Sequence, residues 1–339
     1  MATPCSAPTR RHALIGLAAA GIAGPAAPAR AQGARGAAAA SWPERPVRVI
    51  VPYPGGSTPD IAARAVAQHY QQVFGQPFVP DNRAGGGGTI GTDAIAKATD
   101  GHTIGVSIGG PASTAKILNP ALPYDPATDL VPVSLLTRLP FVLVVHPSVP
   151  ARSVAELVAH AKANPGALNY GSVGAGTLGH LLMAELAARH GLEMTHVPYR
   201  SVPQAVTELV AGRIQAMFAA SGAVLGQVRE GAVRGLAVST DARFAPVPDL
   251  PTLREAGEPG EGAYGWIGLF APPGTPEERV SRLSAEAGKA LDSPPTRRAL
   301  EAAGFEVVGS DAATLRALVA AEIGRWGPLI ERLGIRPES

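Results

Sequence analysis

The chain has almost no cysteine: of 339 residues only Cys5 is one. That excludes a disulfide framework, and beyond residue 5 it excludes thiol nucleophiles and Cys-ligated zinc. Charge is sparse as well. Lys and Arg number 29 against 27 Asp and Glu, a net charge of +2, and no run of basic residues occurs, so the electrostatic footprint of a nucleic-acid-binding protein is missing. The eight histidines show no H-E-x-x-H or other ligand spacing, so neither a metal nor another cofactor is expected. After residue 31 no apolar run reaches the roughly 18 residues that a membrane helix needs. What is present is 46% hydrophobic sequence in a chain long enough to build two cores of an α/β protein.

The first 31 residues differ in kind from the rest. Arg10 and Arg11 precede an Ala-rich apolar stretch from Ala13 to Ala29, and Ala29-Arg30-Ala31 is a small-x-small tripeptide. That order reads as an export signal over residues 1–31, cleaved near Ala31 and followed by a linker over 32–41, which makes the periplasm the expected location. Thr9-Arg10-Arg11-His12-Ala13-Leu14 suits a twin-arginine signal, and an ordinary secretory signal fits the same residues. Cleavage would remove Arg10, Arg11 and Arg30 with no acid, leaving a nearly neutral chain.

From residue 42 onward, short β-rich apolar runs alternate with amphipathic helices. Runs at Val47–Val51, Phe78–Pro80, Thr103–Ile108, Val142–His146, Leu168–Tyr170, Thr195–Val197, Ile214–Phe218, Gly235–Ser239 and Ile267–Ala271 read as strands. Helix starts are signalled by Asp60, by the Ser153/Glu156 capping box, and by Asp311 ahead of the long apolar face from Leu315 to Leu333. Such alternation predicts an α/β fold with parallel or mixed sheets flanked by helices.

Three strand-to-helix junctions concentrate glycine, and in open α/β sheets ligands bind at such junctions. The first is Tyr53-Pro54-Gly55-Gly56-Ser57-Thr58-Pro59-Asp60. The second, Asn82 to Gly91, contains four consecutive glycines from Gly85 to Gly88. The third runs from Tyr170 through Ser172, Gly174, Gly176 and Thr177 to His180. Glycine lets the main chain approach a ligand, and the N–H groups at a helix start suit a carboxylate or phosphate. Two motifs embedded here point elsewhere. Gly174, Gly176 and Gly179 spell the dinucleotide signature G-x-G-x-x-G, but the next strand ends in Pro198-Tyr199-Arg200 with no acid to hold a ribose. Gly105-Val106-Ser107-Ile108-Gly109 spells the hydrolase G-x-S-x-G, but Ser107 is expected inside a strand and Gly109-Gly110-Pro111 delays any helix. His180 is open between a ligand contact and a capping or core role.

These segments, together with His196-Val197-Pro198-Tyr199-Arg200, Pro248 to Gly257 and Trp266 to Pro276, occur in an order that resembles the solute-binding proteins of tripartite tricarboxylate transporters, the Bug receptors, from Trp42 to about Ile335. The resemblance implies a two-lobed, periplasmic-binding-protein-like fold of type II, with residues 42–140 plus 265–339 in one lobe, 141–264 in the other, and a ligand cleft between. It implies no catalysis, a small organic anion as ligand, membrane permease subunits as partners, and a monomer. Carried over to matching positions, it places Tyr53, Gly55, Gly56, Ser57, Thr58, Asp60 and Gly109 opposite Ser172, Gly174, Gly176, Thr177 and His180, with Tyr199, Arg200 and Ser201 at the floor or rim. Two positions depart from the family pattern. Only Pro54 separates Tyr53 from Gly55 where two residues are usual, and Ser201 stands where glycine is common. An exported hydrolase using Ser107 or His180, and a sensor subunit for a signalling receptor, are the competing readings.

Overall fold

The computed structural model describes residues 42–337, so the export signal and linker expected before Trp42 lie outside the described residues. Strand β1 (Val47–Val51) starts the fold because its apolar side chains are buried on both faces, and parallel β2 (Phe78–Asn82) and β3 (Thr103–Ile108) flank it. Helix α1 (Thr58–Phe74) connects β1 to β2. It buries Ala62, Val66 and Tyr70 at helical spacing and ends at Gly75, whose left-handed φ of 71° lets its N–H reach the Gln71 carbonyl. Helix α2 (Thr89–Ala96) leads into β3, and a π-turn (Gly110–Thr114) with the short α3 (Ala115–Leu118) follows it.

Strand β4 (Val131–Val145) is the spine of the molecule. Its first part, Val131 to Pro140, runs antiparallel to β9 (Tyr264–Ala271); from Phe141 to Val145 it runs antiparallel to β7 (Ala216–Ala220) and β8 (Arg234–Val238) instead. Around its second part the chain repeats the pattern of its beginning: α4 (Val154–Ala163), β5 (Leu168–Ser172), α5 (Leu178–His190), β6 (Met194–Pro198) and α6 (Val202–Val210), with β5 parallel to both β6 and β7. Helix α7 (Ser221–Arg229) precedes β8; α8 (Glu277–Asp292), α9 (Pro294–Ala302), β10 (Glu306–Val307) and α10 (Ala312–Leu333) complete the chain. The strand order β2-β1-β3-β9-β4-β7-β5-β6, with β10 and β8 also on β4, therefore joins two mixed sheets through one long strand: a two-lobed α/β fold.

The expected strand from Val142 is the tail of β4. Pro132 and Pro140, which cannot donate to a ladder, break the apolar pattern upstream, and the register indeed slips next to Pro132. The caps behave as their chemistry dictates: Ser153 Oγ accepts from Glu156 N at 3.2 Å and Asp311 Oδ1 from Thr314 N at 2.8 Å. Helix α10 is shared between cores. Leu315 and Val319 pack with Trp266 and Phe270 against the first sheet, whereas Trp326, Leu329 and Ile330 pack with Leu118, Leu143 and Leu181 in the core of the second.

Candidate functional site

At the first junction the buried Asp60 carboxylate shapes the loop. Oδ2 accepts from Gly56 N at 2.8 Å and from Arg64 Nε at 2.8 Å, and Oδ1 accepts from Asn82 Nδ2 at 2.9 Å, the same amide that donates to the Tyr53 carbonyl. Burial pushes the Asp60 pKa up, but those bonds and the Arg64 charge outweigh it and hold the group below the usual carboxylate range. Gly56 sits at φ 78°, a conformation that glycine adopts without strain. Ser57 caps α1 through its backbone only. Its Oγ is buried with no hydrogen-bond partner among the described residues, next to the α1 start where an anion is favoured. Gly55 and Thr58 are exposed.

The four glycines of the second junction all have positive φ, which explains their cost in entropy. Gly87 accepts the Tyr53 hydroxyl at 2.6 Å, and Gly88 is wedged so that a side-chain carbon there would lie 2.8 Å from Tyr53 Oη and 2.9 Å from Pro111 Cγ. The Gly109-Gly110-Pro111 turn thus approaches the second junction at the same glycine that Tyr53 of the first junction reaches. It approaches the third too: a carbon added to Gly110 would sit 3.7 Å from the Gly176 carbonyl, and one added to Gly176 would sit 2.1 Å from Leu118 Cδ1. Tyr53, Gly88, Pro111, Gly110 and Gly176 form a line of close approach from one sheet's loops to the other's.

In the third junction most of the glycine amides are already engaged. Gly174 N donates to Ser172 Oγ at 3.1 Å, Gly176 N to His180 Nδ1 at 3.0 Å, and Thr177 Oγ1 to the Gly174 carbonyl at 2.8 Å. The N–H groups of Leu178 and Gly179 open α5 ahead of the first bond from Leu181 N to the Thr177 carbonyl, so the helix start, rather than Gly174 or Gly176, is where this loop has amides to offer. His180 is buried and lies behind the loop. It stacks on His196 at 4.0 Å and 11°, and His196 Nε2 meets Ser172 Oγ at 2.7 Å. Burial and the neighbouring imidazole push His180 down to about 3, and burial pushes His196 down to about 4. Tyr199 N donates to the Ser172 carbonyl at 2.9 Å, which sets the tyrosine beside this loop; Arg200 and Ser201 are exposed, and Ser201 Oγ caps α6 by accepting from Gln204 N.

Sequence reasoning passed over Glu322. A carbon added to Gly109 would lie 3.5 Å from Glu322 Oε2 and 3.3 Å from Trp266 Nε1, which places this carboxyl directly behind the turn joining the two sheets. Burial raises its pKa, while the facing indoles of Trp326 and Trp266 and the Arg325 charge partly offset that rise. Among the described residues, neither indole N–H reaches hydrogen-bonding geometry with an acceptor. A lone acid within an apolar helical stripe carries no local signal of this placement.

The two decoy motifs resolve differently. Ser107 is fully buried in β3, paired with Gly268 of β9, and its Oγ meets Thr92 Oγ1 at 2.8 Å, so it forms no nucleophile elbow. Gly174, Gly176 and Gly179 do turn from strand to helix, but the amides of Gly174 and Gly176 serve Ser172 and His180, and Gly179 packs so that an added carbon would lie 2.6 Å from the Phe218 carbonyl.

The family model described as "Tripartite tricarboxylate transporter family receptor" matches residues 62–335. A protein encoded in the tcbD-tcbE intergenic region of Pseudomonas sp. (strain P51) is 40% identical over 292 residues, covering 86% of this chain and 87% of that protein. Among solved structures, Rpa4515 of R. palustris with adipate superimposes with a TM-score of 0.78 at 36% identity, covering 88% of this chain and 100% of that one. MatC (Rpa3494) from Rhodopseudomonas palustris with bound malate gives 0.76 at 33% identity, covering 85% and 100%.

Proposed function

This chain belongs to the tripartite tricarboxylate transporter receptor family, a family of solute-binding receptors and not of enzymes, and on that premise we propose that it captures a small organic carboxylate between its two lobes and delivers it to the membrane subunits of a tripartite transporter. The observation that carries the reading is the close approach of glycine loops from both sheets, from Tyr53 and Gly88 through Pro111 and Gly110 to Gly176, with a Ser57 hydroxyl on the first of them that has no partner among the described residues. Lys and Arg are lacking in the loops 53–60 and 172–180, so backbone amides, hydroxyls and helix dipoles carry anion recognition. One lobe comprises residues 42–140 plus 265–339 and the other 141–264, a division supported by the change of β4 partners between Pro140 and Phe141 and by the start of β9 at Tyr264. Residues 1–31 act as the export signal, and the protein works in the periplasm as a monomer.

A ligand that touches both lobes binds the closed arrangement more tightly than the open one, and that difference drives closure. Adipate and malate, the compounds in the two related structures, are the first acids to test. An acid present at about 100 times its Kd adds about 2.7 kcal/mol of stability, which a thermal-shift screen of purified protein reads directly. If no small acid moves the melting temperature while an ester is turned over, the receptor reading is wrong.

Ser57→Ala gives a sharper result. Deleting a buried hydroxyl that bonds to none of the described residues leaves the ligand-free melting temperature unchanged or slightly higher, whereas losing a bond to a carboxylate weakens binding about tenfold or more. Titration calorimetry beside thermal melts checks both halves.

A further inference from the structure

The first and third junctions share one device built with opposite chemistry. Gly56 and Gly176 each precede a helix cap, Ser57 and Thr177, and hold φ of 78° and 75°. Each donates its N–H to the side chain four residues ahead: Gly56 to Asp60 Oδ2 at 2.8 Å, Gly176 to His180 Nδ1 at 3.0 Å. This is a capping-box bond displaced by one residue, reaching back past the cap to the glycine before it. The acceptors differ in charge. Asp60 is an anion whose charge Arg64 Nε meets at 2.8 Å, with Asn82 Nδ2 on its other oxygen. Among the described residues His180 has no such arginine; it belongs to a cluster of rings, stacked on His196 at 4.0 Å, with Tyr170 6.0 Å from His180 and 5.1 Å from His196. Because Gly176 N–H donates to Nδ1, that nitrogen carries no proton and the neutral ring keeps its proton on Nε2.

We propose that His180 is a positioning residue of the ligand cleft, which fixes the Gly174–Thr177 turn through an uncharged acceptor so that the α5 N-terminus stays receptive to an anion. A carboxylate in its place would make the same bond but set a second negative charge at the helix start, competing with the ligand for the same dipole and amides. At the first junction Arg64 removes that conflict. The inference deepens the carboxylate-receptor reading and rests on it for its ligand arm.

Three variants separate shape from charge. His180→Asn keeps a neutral acceptor at the Nδ1 position, His180→Asp keeps an acceptor and adds a charge, and His180→Leu has neither. In ligand-free protein, hydrogen exchange of the Gly176 amide is expected to be slow in the wild type and in the Asn and Asp variants, and fast in the Leu variant. Nitrogen NMR of labelled histidine should show Nδ1 of His180 unprotonated. With adipate or malate, whichever stabilises the wild type, the Asn variant binds within about threefold of wild type and the Leu variant about tenfold more weakly, the scale of one lost hydrogen bond. The Asp variant loses about 100-fold, the scale of a like charge at helix-start distance. Slow Gly176 exchange in the Leu variant overturns the positioning role, and equal affinities of the Asn and Asp variants overturn the role of neutrality. If the wild type binds neither acid, those ligands are wrong for this receptor, and the exchange and NMR arms still decide what His180 does.

Discussion

Replacing Gly176 with valine is expected to weaken ligand binding at least about 100-fold, close to 2.7 kcal/mol, while leaving a folded protein. Two physical effects combine. A φ of 75° is closed to a β-branched residue and costs about 1–2 kcal/mol even for a plain L-residue. The first side-chain carbon would also fall 2.1 Å from Leu118 Cδ1, closer than side-chain carbons approach, and a tight 3.1 Å from its Cγ. Leu118 cannot simply retreat, because it is embedded with Leu181, Trp326 and Ile330 in one core. The loop therefore backs away from Gly110, and the junctions that must share one ligand part. Gly174→Ala is the control: its φ of 120° is strained too, but the added methyl meets nothing within 4 Å. Calorimetric titration should rank Gly176→Val far below Gly174→Ala in affinity. Equal affinities would mean that backbone strain, not separation of the loops, governs binding.

That ranking depends on contacts which sequence alone reveals unevenly. The three junctions were legible because the information is local: glycine where φ turns positive, Ser or Asp ahead of an apolar period, short β-rich runs between. Strands β1 and β3 have the expected limits for the same reason. What local pattern could not reveal is which junction meets which. Gly110 meets Gly176 only because β4 carries the chain from one sheet to the other, and its prolines hid most of that strand. His196 reaches Ser172 because β6 lies beside β5, with Tyr170 paired to His196 in register. Glu322 arrives behind Gly109 by way of a helix more than 200 positions downstream in the chain. The resemblance to solute receptors supplied the lobe arrangement that periodicity does not encode, and it set His180 among ligand contacts, whereas the bond to Gly176 places the imidazole behind the turn.

The buried imidazoles also make stability depend on pH, over a range that opens near 6.5, above the range of the carboxylates held below their ordinary values and with a sign opposite to that of Glu322, whose pKa burial raises. His180, pushed down to about 3, stays neutral in the folded protein long after an unfolded histidine, near 6.5, has taken up a proton. The unfolded chain thus binds more protons than the native one between those two values, and stability must fall as pH is lowered through them and is fully present above about 6.5. From pH 6.5 to 4.5 the loss approaches about 1.4 kcal/mol per pH unit for His180 alone. His196, pushed down to about 4 but partly open to solvent, adds a smaller share. His196 is the titratable neighbour acting on His180, and Tyr170, pushed up to about 12 by burial, stays neutral beside both. Asp60, Asp100 and Glu286 are all held below their ordinary values, so the stability they contribute is lost only at still lower pH. Melting temperatures at pH 7, 6 and 5 should therefore decline steadily in the wild type and much less in the His180→Asn/His196→Gln double variant, whose side chains take up no proton. An identical decline in both would place the acid sensitivity elsewhere in the protein, because only a group that titrates on unfolding can generate that slope.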